Sequence, residues 1–154
     1  MIEPGSILSG LSNVTSVLAT LNSLLKGSRG MQRALLLELE GNTRLILLNV
    51  KGGAPVEKVV PRLETSSTRK AMESGFNFNA LKSGKVKPKT VGDSPQMQAY
   101  LGWSTEKLFA NVYLKIRDLQ HIVDIDATND RFRTGVRLQN ILKMMLLLVR
   151  HIRS

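Results

Sequence analysis

The chain has 154 residues, a length that suits one domain with a substantial hydrophobic core. Its hydrophobic fraction of 42% is typical of a folded globule, and the lack of cysteine excludes a disulfide scaffold, a cysteine nucleophile and a thiolate metal site. The missing cysteines also fit a reducing compartment, so we expect a cytoplasmic protein. The 22 Lys and Arg residues against 12 Asp and Glu give a net charge of +10, which points to a polyanionic partner.

The first predicted element is an amphipathic helix over residues 4–25, which carry no charge. An uncharged stretch of this length raises the question of a membrane span, but Ser, Thr and Asn interrupt it throughout. The apolar residues recur with alternating gaps of four and three, which places them on one helix face. These residues are Ile7, Leu11, Val14, Leu18, Leu21 and Leu25. We expect a bundle helix, with a membrane-active helix drawn to anionic lipid as the minority alternative.

The next stretch, residues 31–50, is compatible with a helix or a β-hairpin. Gly41 and Asn42 lie between two apolar runs and could form a hairpin turn. The residue types are mainly Leu, Glu, Arg, Gln and Ala, and this composition favours a helix. Apolar and small residues also follow the three-four spacing; they are Leu36, Leu39, Thr43, Ile46 and Val50. We therefore predict a helix with Gly41 in its interior.

The middle of the chain is predicted to be less regular. A shorter helix is expected over residues 56–74, kinked or split at Pro61 and ended by Gly75. Residues 76–103 then form a long, partly irregular connection with at most one short helix, over residues 95–101. The aromatic residues at both ends of this connection could stack on nucleic-acid bases, but such residues more often anchor a loop to the core.

Two long helices are predicted in the last third of the chain. Ser104 is the expected cap of the first helix, and Asp130 the expected cap of the second. The short turn over residues 126–130 makes the two helices antiparallel. Each carries an apolar stripe, formed by Phe109, Val112, Ile116, Leu119 and Val123 in the first and by Leu138, Ile141, Met145, Leu148 and Ile152 in the second. Residues 144–149 are apolar nearly all round, so the last helix is expected to be central.

The four stripes predict an all-α fold. We expect an antiparallel four-helix-type bundle that forms a single domain over residues 1–154, with a long basic connection over residues 76–103. The heptad-like gaps could instead serve a coiled-coil partner, so a partner protein or a homo-oligomer is expected as well.

Few residues are arranged for catalysis or metal binding. His121 and Asp124 share a helix face but are only two ligands, and Asp124, Asp126 and Asp130 lack the glycine and glutamate of a calcium loop. Arg117 and His121 invite comparison with helical-bundle ribonucleases that use an Arg and a His, but the spacing is short and an acid follows the arginine. Phosphate-binding glycine loops and nucleophile motifs are lacking. We predict a protein that is not an enzyme and uses no metal or cofactor.

The positive charge is concentrated in two segments. Residues 26–103 carry +7 and residues 128–154 carry +5, whereas residues 1–25 and 104–127 each carry −1. Lysines in a connection suit non-specific contact with a phosphate backbone, and arginine pairs one helical turn apart present forks to phosphates. The candidate nucleic-acid-binding residues are Lys82, Lys85, Lys87, Lys89, Arg131, Arg133, Arg137, Lys143, Arg150 and Arg153.

The functional prediction follows from this charge pattern and from the lack of a catalytic motif. We expect an accessory or adaptor subunit of a larger complex that contacts the backbone of RNA or DNA. No helix-turn-helix, zinc-finger or RNP pattern supports sequence-specific base reading. The alternatives are a protein-interaction or oligomerisation module without nucleic acid and, further behind, a membrane-active bundle.

Overall fold

The computed structural model describes the backbone of residues 4–126 and 129–154, and the side chains of these residues except 4–13 and 130. Within this range the chain forms helices and no strand. The helices are α1 (Pro4–Lys26), α2 (Gly30–Val50), α3 (Val56–Val59), α4 (Ser66–Glu73), α5 (Pro88–Val91), α6 (Thr105–Asp126) and α7 (Thr134–Arg153). The predicted all-α bundle of four long helices is confirmed.

The last helix, α7, is the central element, as its sequence predicts. It packs against α1, α2 and α6, and every residue from Met144 to Val149 is buried. α6 and α7 are antiparallel, because Thr105 at the start of α6 lies 2.8 Å from His151 at the end of α7. The apolar stripe of α6 is buried along its whole length. In the second half of α1, apolar side chains are buried in the core, and Leu21 is fully buried. The side chains of Ile7 and Leu11 lie outside the described residues.

Residues 31–50 are one continuous helix, so the hairpin alternative is excluded. Gly41 lies exposed in the middle of α2. Four members of the predicted stripe are buried, as the spacing predicts: Leu36, Leu39, Thr43 and Ile46. Asn42 is buried beside it, because its side chain pairs with the backbone of Glu64 through two hydrogen bonds of 2.8 Å.

Pro61 splits the element predicted over residues 56–74. α3 ends at Val59, a 3₁₀ turn spans Val60–Arg62, and Leu63 is extended before α4 begins. Proline lacks the N–H that would continue the helix, and its ring clashes with the preceding turn. Gln120 of α6 donates from its amide nitrogen to the carbonyl oxygens of Val60 (3.2 Å) and Leu63 (2.9 Å), which ties this break to α6. The Val60 carbonyl also accepts from the Leu63 N–H at 3.1 Å.

The connection over residues 76–103 is more regular than predicted. It contains α5 and two 3₁₀ turns, Phe78–Ala80 and Met97–Tyr100, of which the second falls where a short helix was expected. Its middle pairs with its end, because the Val86 N–H donates to the Trp103 carbonyl (2.9 Å) and the Gly102 N–H donates to the Val86 carbonyl (3.0 Å). Phe78 is buried with its ring centroid 5.4 Å from that of Phe109. This phenylalanine therefore anchors the connection to the core.

The two predicted helix caps have different outcomes. Ser104 caps α6, because its hydroxyl oxygen accepts a hydrogen bond from the Lys107 N–H at 3.2 Å. The prediction for Asp130 is wrong: α7 begins at Thr134, with Arg133 at the capping position and no side-chain cap bond. Arg133 has φ 49° and ψ 50°, so its left-handed backbone interrupts the helix between the 3₁₀ turn that starts at Asp130 and α7.

Candidate nucleic-acid interface

Most of the predicted basic residues are exposed to solvent. Nine of the ten are exposed, and Lys82 is half-buried. Among the described residues, the ion pairs are Arg44–Glu40 (3.0 Å) and Arg69–Glu73 (3.9 Å). Neither pair involves a predicted site residue, so no described carboxylate neutralises these ten cations at close range.

The structure brings the connection against α7. α5 packs on α7, and the Lys143 ammonium lies 3.5 Å from the Gln96 side-chain oxygen. The Lys82 ammonium donates to the carbonyl oxygen of Ser154. The two basic segments, which are far apart in sequence, therefore meet along α7. We call the seven residues concerned the connection surface: Lys82, Lys85, Lys87, Lys89, Lys143, Arg150 and Arg153.

Buried valines and exposed lysines alternate in the middle of the connection. Val86 and Val91 are buried against the core, whereas Lys85, Lys87 and Lys89 are exposed. Extended backbone places successive side chains on opposite sides, which explains why the lysines flank the buried Val86. The valines therefore fix the backbone that carries the charges.

The remaining three predicted residues lie elsewhere. Arg131, Arg133 and Arg137 line a cleft of 330 Å³ between α6 and α7. An α-helical rise puts Arg137 about 20 Å from Arg150 along the axis of α7 and about 9 Å from Lys143. The arginines of the cleft thus lie apart from the basic residues at the end of α7, and Lys143 lies between the two groups.

Two lysines were missed by the sequence prediction, because residues 104–127 carry a net negative charge. Lys115 of α6 lines the same cleft as the arginines. The Lys107 ammonium lies 4.2 Å from the centre of the Trp103 ring, which the Tyr100 ring contacts edge-on at 4.8 Å. Trp103 and Tyr100 are half-buried and pack on the core, so they anchor the end of the connection.

The buried hydroxyl of Thr105, at the start of α6, forms hydrogen bonds both to the connection and to α7. The Thr105 hydroxyl donates to the Lys82 carbonyl at 2.7 Å, so it can only accept from Nε2 of His151, 2.8 Å away. The proton of His151 is therefore on Nε2, and Nδ1 is buried without a hydrogen-bond partner in the described structure. Burial, and secondly the charge of Lys82, lower the pKa of His151 below its ordinary value. Sequence reasoning assigned no role to this neutral histidine.

The residues considered for catalysis line another cleft, of 690 Å³, between the α3–α4 segment and α6. Arg117, His121 and Asp124 lie on its α6 side, opposite Glu57 and Arg69. The Arg117 guanidinium donates to the Gln120 side-chain oxygen at 3.2 Å. In the part of the chain that is described, no three His, Asp or Glu side chains are grouped so that they could hold a metal ion.

None of the described helices is both long and apolar enough to cross a membrane. Comparison with protein families, with characterised proteins and with solved structures finds no match to this chain.

Proposed function

We propose that this protein is a non-catalytic accessory subunit of a cytoplasmic complex, and that it contacts the phosphate backbone of RNA or DNA through the connection surface. One observation carries the proposal: the connection, with its exposed lysines, packs against α7, which carries Lys143, Arg150 and Arg153, and no described carboxylate forms an ion pair with any of these cations. Such a surface suits a ligand with repeated negative charges.

The chemistry of these residues favours backbone contact over base reading. Lysine ammonium groups act as point charges that satisfy phosphates without a fixed geometry. The nearby aromatic rings of Tyr100 and Trp103 are committed to the core, so stacking on bases does not contribute. We therefore expect binding with little sequence preference that weakens steeply as salt rises.

Variants with the same loss of charge test this proposal. The first replaces Lys85, Lys87 and Lys89 by glutamine, and the control replaces three exposed lysines outside the basic regions: Lys51, Lys58 and Lys70. Fluorescence anisotropy with mixed-sequence single- and double-stranded RNA and DNA at about 50 mM salt measures the affinity. We expect the first variant to lose about tenfold or more in affinity, and the control much less. No binding by the unmodified chain, or equal losses in both variants, would contradict the proposal.

A second candidate function is protein docking without nucleic acid. Leu37 and Leu48 are about half exposed (48% and 55%) and lie eleven residues apart on α2, which places them on the same helix face. Light scattering of the isolated chain, and affinity purification with nuclease treatment, separate the two candidates. Partners that persist after nuclease treatment support docking, and partners that are lost support nucleic-acid contact.

A further inference from the structure

The cleft between α6 and α7 gathers positive charge from separate elements of the chain. Its lining side chains include Lys115 and Asp118 of α6, Arg131 and Arg133 of the segment before α7, and Arg137 and Asn140 of α7. Among the described side chains that line it, Asp118 is the one acid against four cations. None of these cations forms an ion pair with a described carboxylate. Four like charges around one cleft repel each other, and a bound anion would remove that repulsion.

One arginine of this cleft, Arg137, is held in place by the protein itself. Its Nε donates to the Phe132 carbonyl at 2.6 Å, which orients the guanidinium, and no hydrogen bond to a described residue uses its two terminal nitrogens. Arg133 is the described non-glycine residue with a positive φ, a conformation that L-residues adopt only at an energetic cost. Such a residue in the lining of a charged cleft is consistent with a binding role. A fixed guanidinium loses less entropy when it binds an anion than a free one does.

We infer that this cleft binds a compact phosphate group carrying more than one negative charge, of the phosphate monoester or diphosphate class. The inference deepens the proposed function, because it assigns a specific ligand group to the arginines that lie apart from the connection surface. Two sources offer the same chemistry: the terminal phosphate of a nucleic-acid strand, and a free diphosphate. Guanidinium forks and the Lys115 ammonium would pair with the phosphate oxygens, and the Asn140 amide would supply a neutral donor.

Calorimetric titration of the full chain with inorganic pyrophosphate tests the inference at low salt. We expect saturable binding at one site, and about a tenfold or greater loss of affinity in Arg137→Gln and in Lys115→Gln. The second variant guards against a folding defect, because the Lys115 side chain forms no ion pair or hydrogen bond with another described residue. Lys58→Gln, an exposed lysine outside both basic regions, is the control and should bind pyrophosphate as the unmodified chain does. No saturable binding, or the same loss in Lys58→Gln, would overturn the inference.

Competition by oligonucleotides with and without a 5′-terminal phosphate shows whether the bound phosphate comes from a strand end or from a free diphosphate. Stronger competition with pyrophosphate by the phosphorylated strand supports a strand end as the ligand, and failure of both strands to compete supports a free diphosphate. Equal competition by both strands would overturn the assignment, because internal phosphodiesters would then suffice. Pyrophosphate binding in a chain that does not bind nucleic acid would refute the proposed function alone. Nucleic-acid binding without pyrophosphate binding would refute this inference alone.

Discussion

Replacing Glu38 by alanine should be among the most destabilising changes on the surface of α2. The Glu38 carboxylate caps the start of α4: one oxygen accepts from the Ser67 N–H (2.7 Å), and the other from the Thr68 N–H (3.1 Å) and hydroxyl (2.7 Å). Hydrogen bonds to a charged acceptor contribute about 1.5–3 kcal/mol each when buried, and a lost helix cap costs about 0.5–2 kcal/mol. Because Glu38 is half-buried and water replaces part of the loss, we expect about 2–3 kcal/mol in total.

Urea unfolding measures this loss. With a slope of about 2 kcal/mol per molar urea for a chain of this size, the midpoint should fall by about 1–1.5 M at unchanged slope. Glu40→Ala is the matched control, because Glu40 lies on the same helix and its ion pair among the described residues is the i,i+4 pair with Arg44. Such a helix pair contributes about 0.5 kcal/mol, so the control midpoint should fall by about 0.25 M. Equal shifts in the two variants would refute the capping role of Glu38.

Three further predictions concern stability. Gly41→Ala should raise the melting temperature by about 2–4 °C, because alanine favours helix by about 1 kcal/mol and, beyond the neighbouring backbone of α2, no described atom lies within 4 Å of the added carbon; an unchanged or lower value would contradict this. Arg133→Gly should be about 1 kcal/mol more stable than Arg133→Ala in urea unfolding, because alanine keeps the left-handed strain; equal stability would show that strain is absent. Since the lowered pKa of His151 means that the unfolded chain binds its proton more tightly, stability should fall as pH drops from about 6.5 toward the folded-state pKa. Thermal melts of His151→Gln should lose this pH dependence, whereas the exposed His121→Gln should retain it.

The long helices were predictable because their signal is local. Residues such as Leu36 and Leu39 repeat with the helical period, and the same period fixes which side of the helix is buried. The Gly41-Asn42 ambiguity arose because the partner of Asn42 is Glu64, 22 residues along the chain, which no local pattern reveals. The Asp130 prediction failed for a related reason, since it assumed a helix start that the left-handed Arg133 prevents.

The candidate site was predictable in its residues but not in its arrangement. The lysine positions of the connection follow from the sequence, whereas their fixation depends on the burial of Val86 and Val91 against the core. Lys115 was not predicted as a site residue, because the acidic residues of α6 outnumber the basic ones and the net charge of residues 104–127 is negative. Its membership of the cleft follows only from the antiparallel packing of α6 and α7.

The salt dependence of nucleic-acid affinity tests the central proposal most directly. Each phosphate contact that a lysine makes contributes about −0.9 to the slope of log affinity against log salt on duplex DNA, and about −0.7 on single strands. Replacing Lys85, Lys87 and Lys89 by glutamine should therefore make the slope shallower by about two to three units, because each replaced lysine removes one contact. The control replacement of Lys51, Lys58 and Lys70 should leave the slope within about half a unit of the unmodified value. Identical slopes in all three proteins would contradict a role for the connection surface in binding nucleic acid.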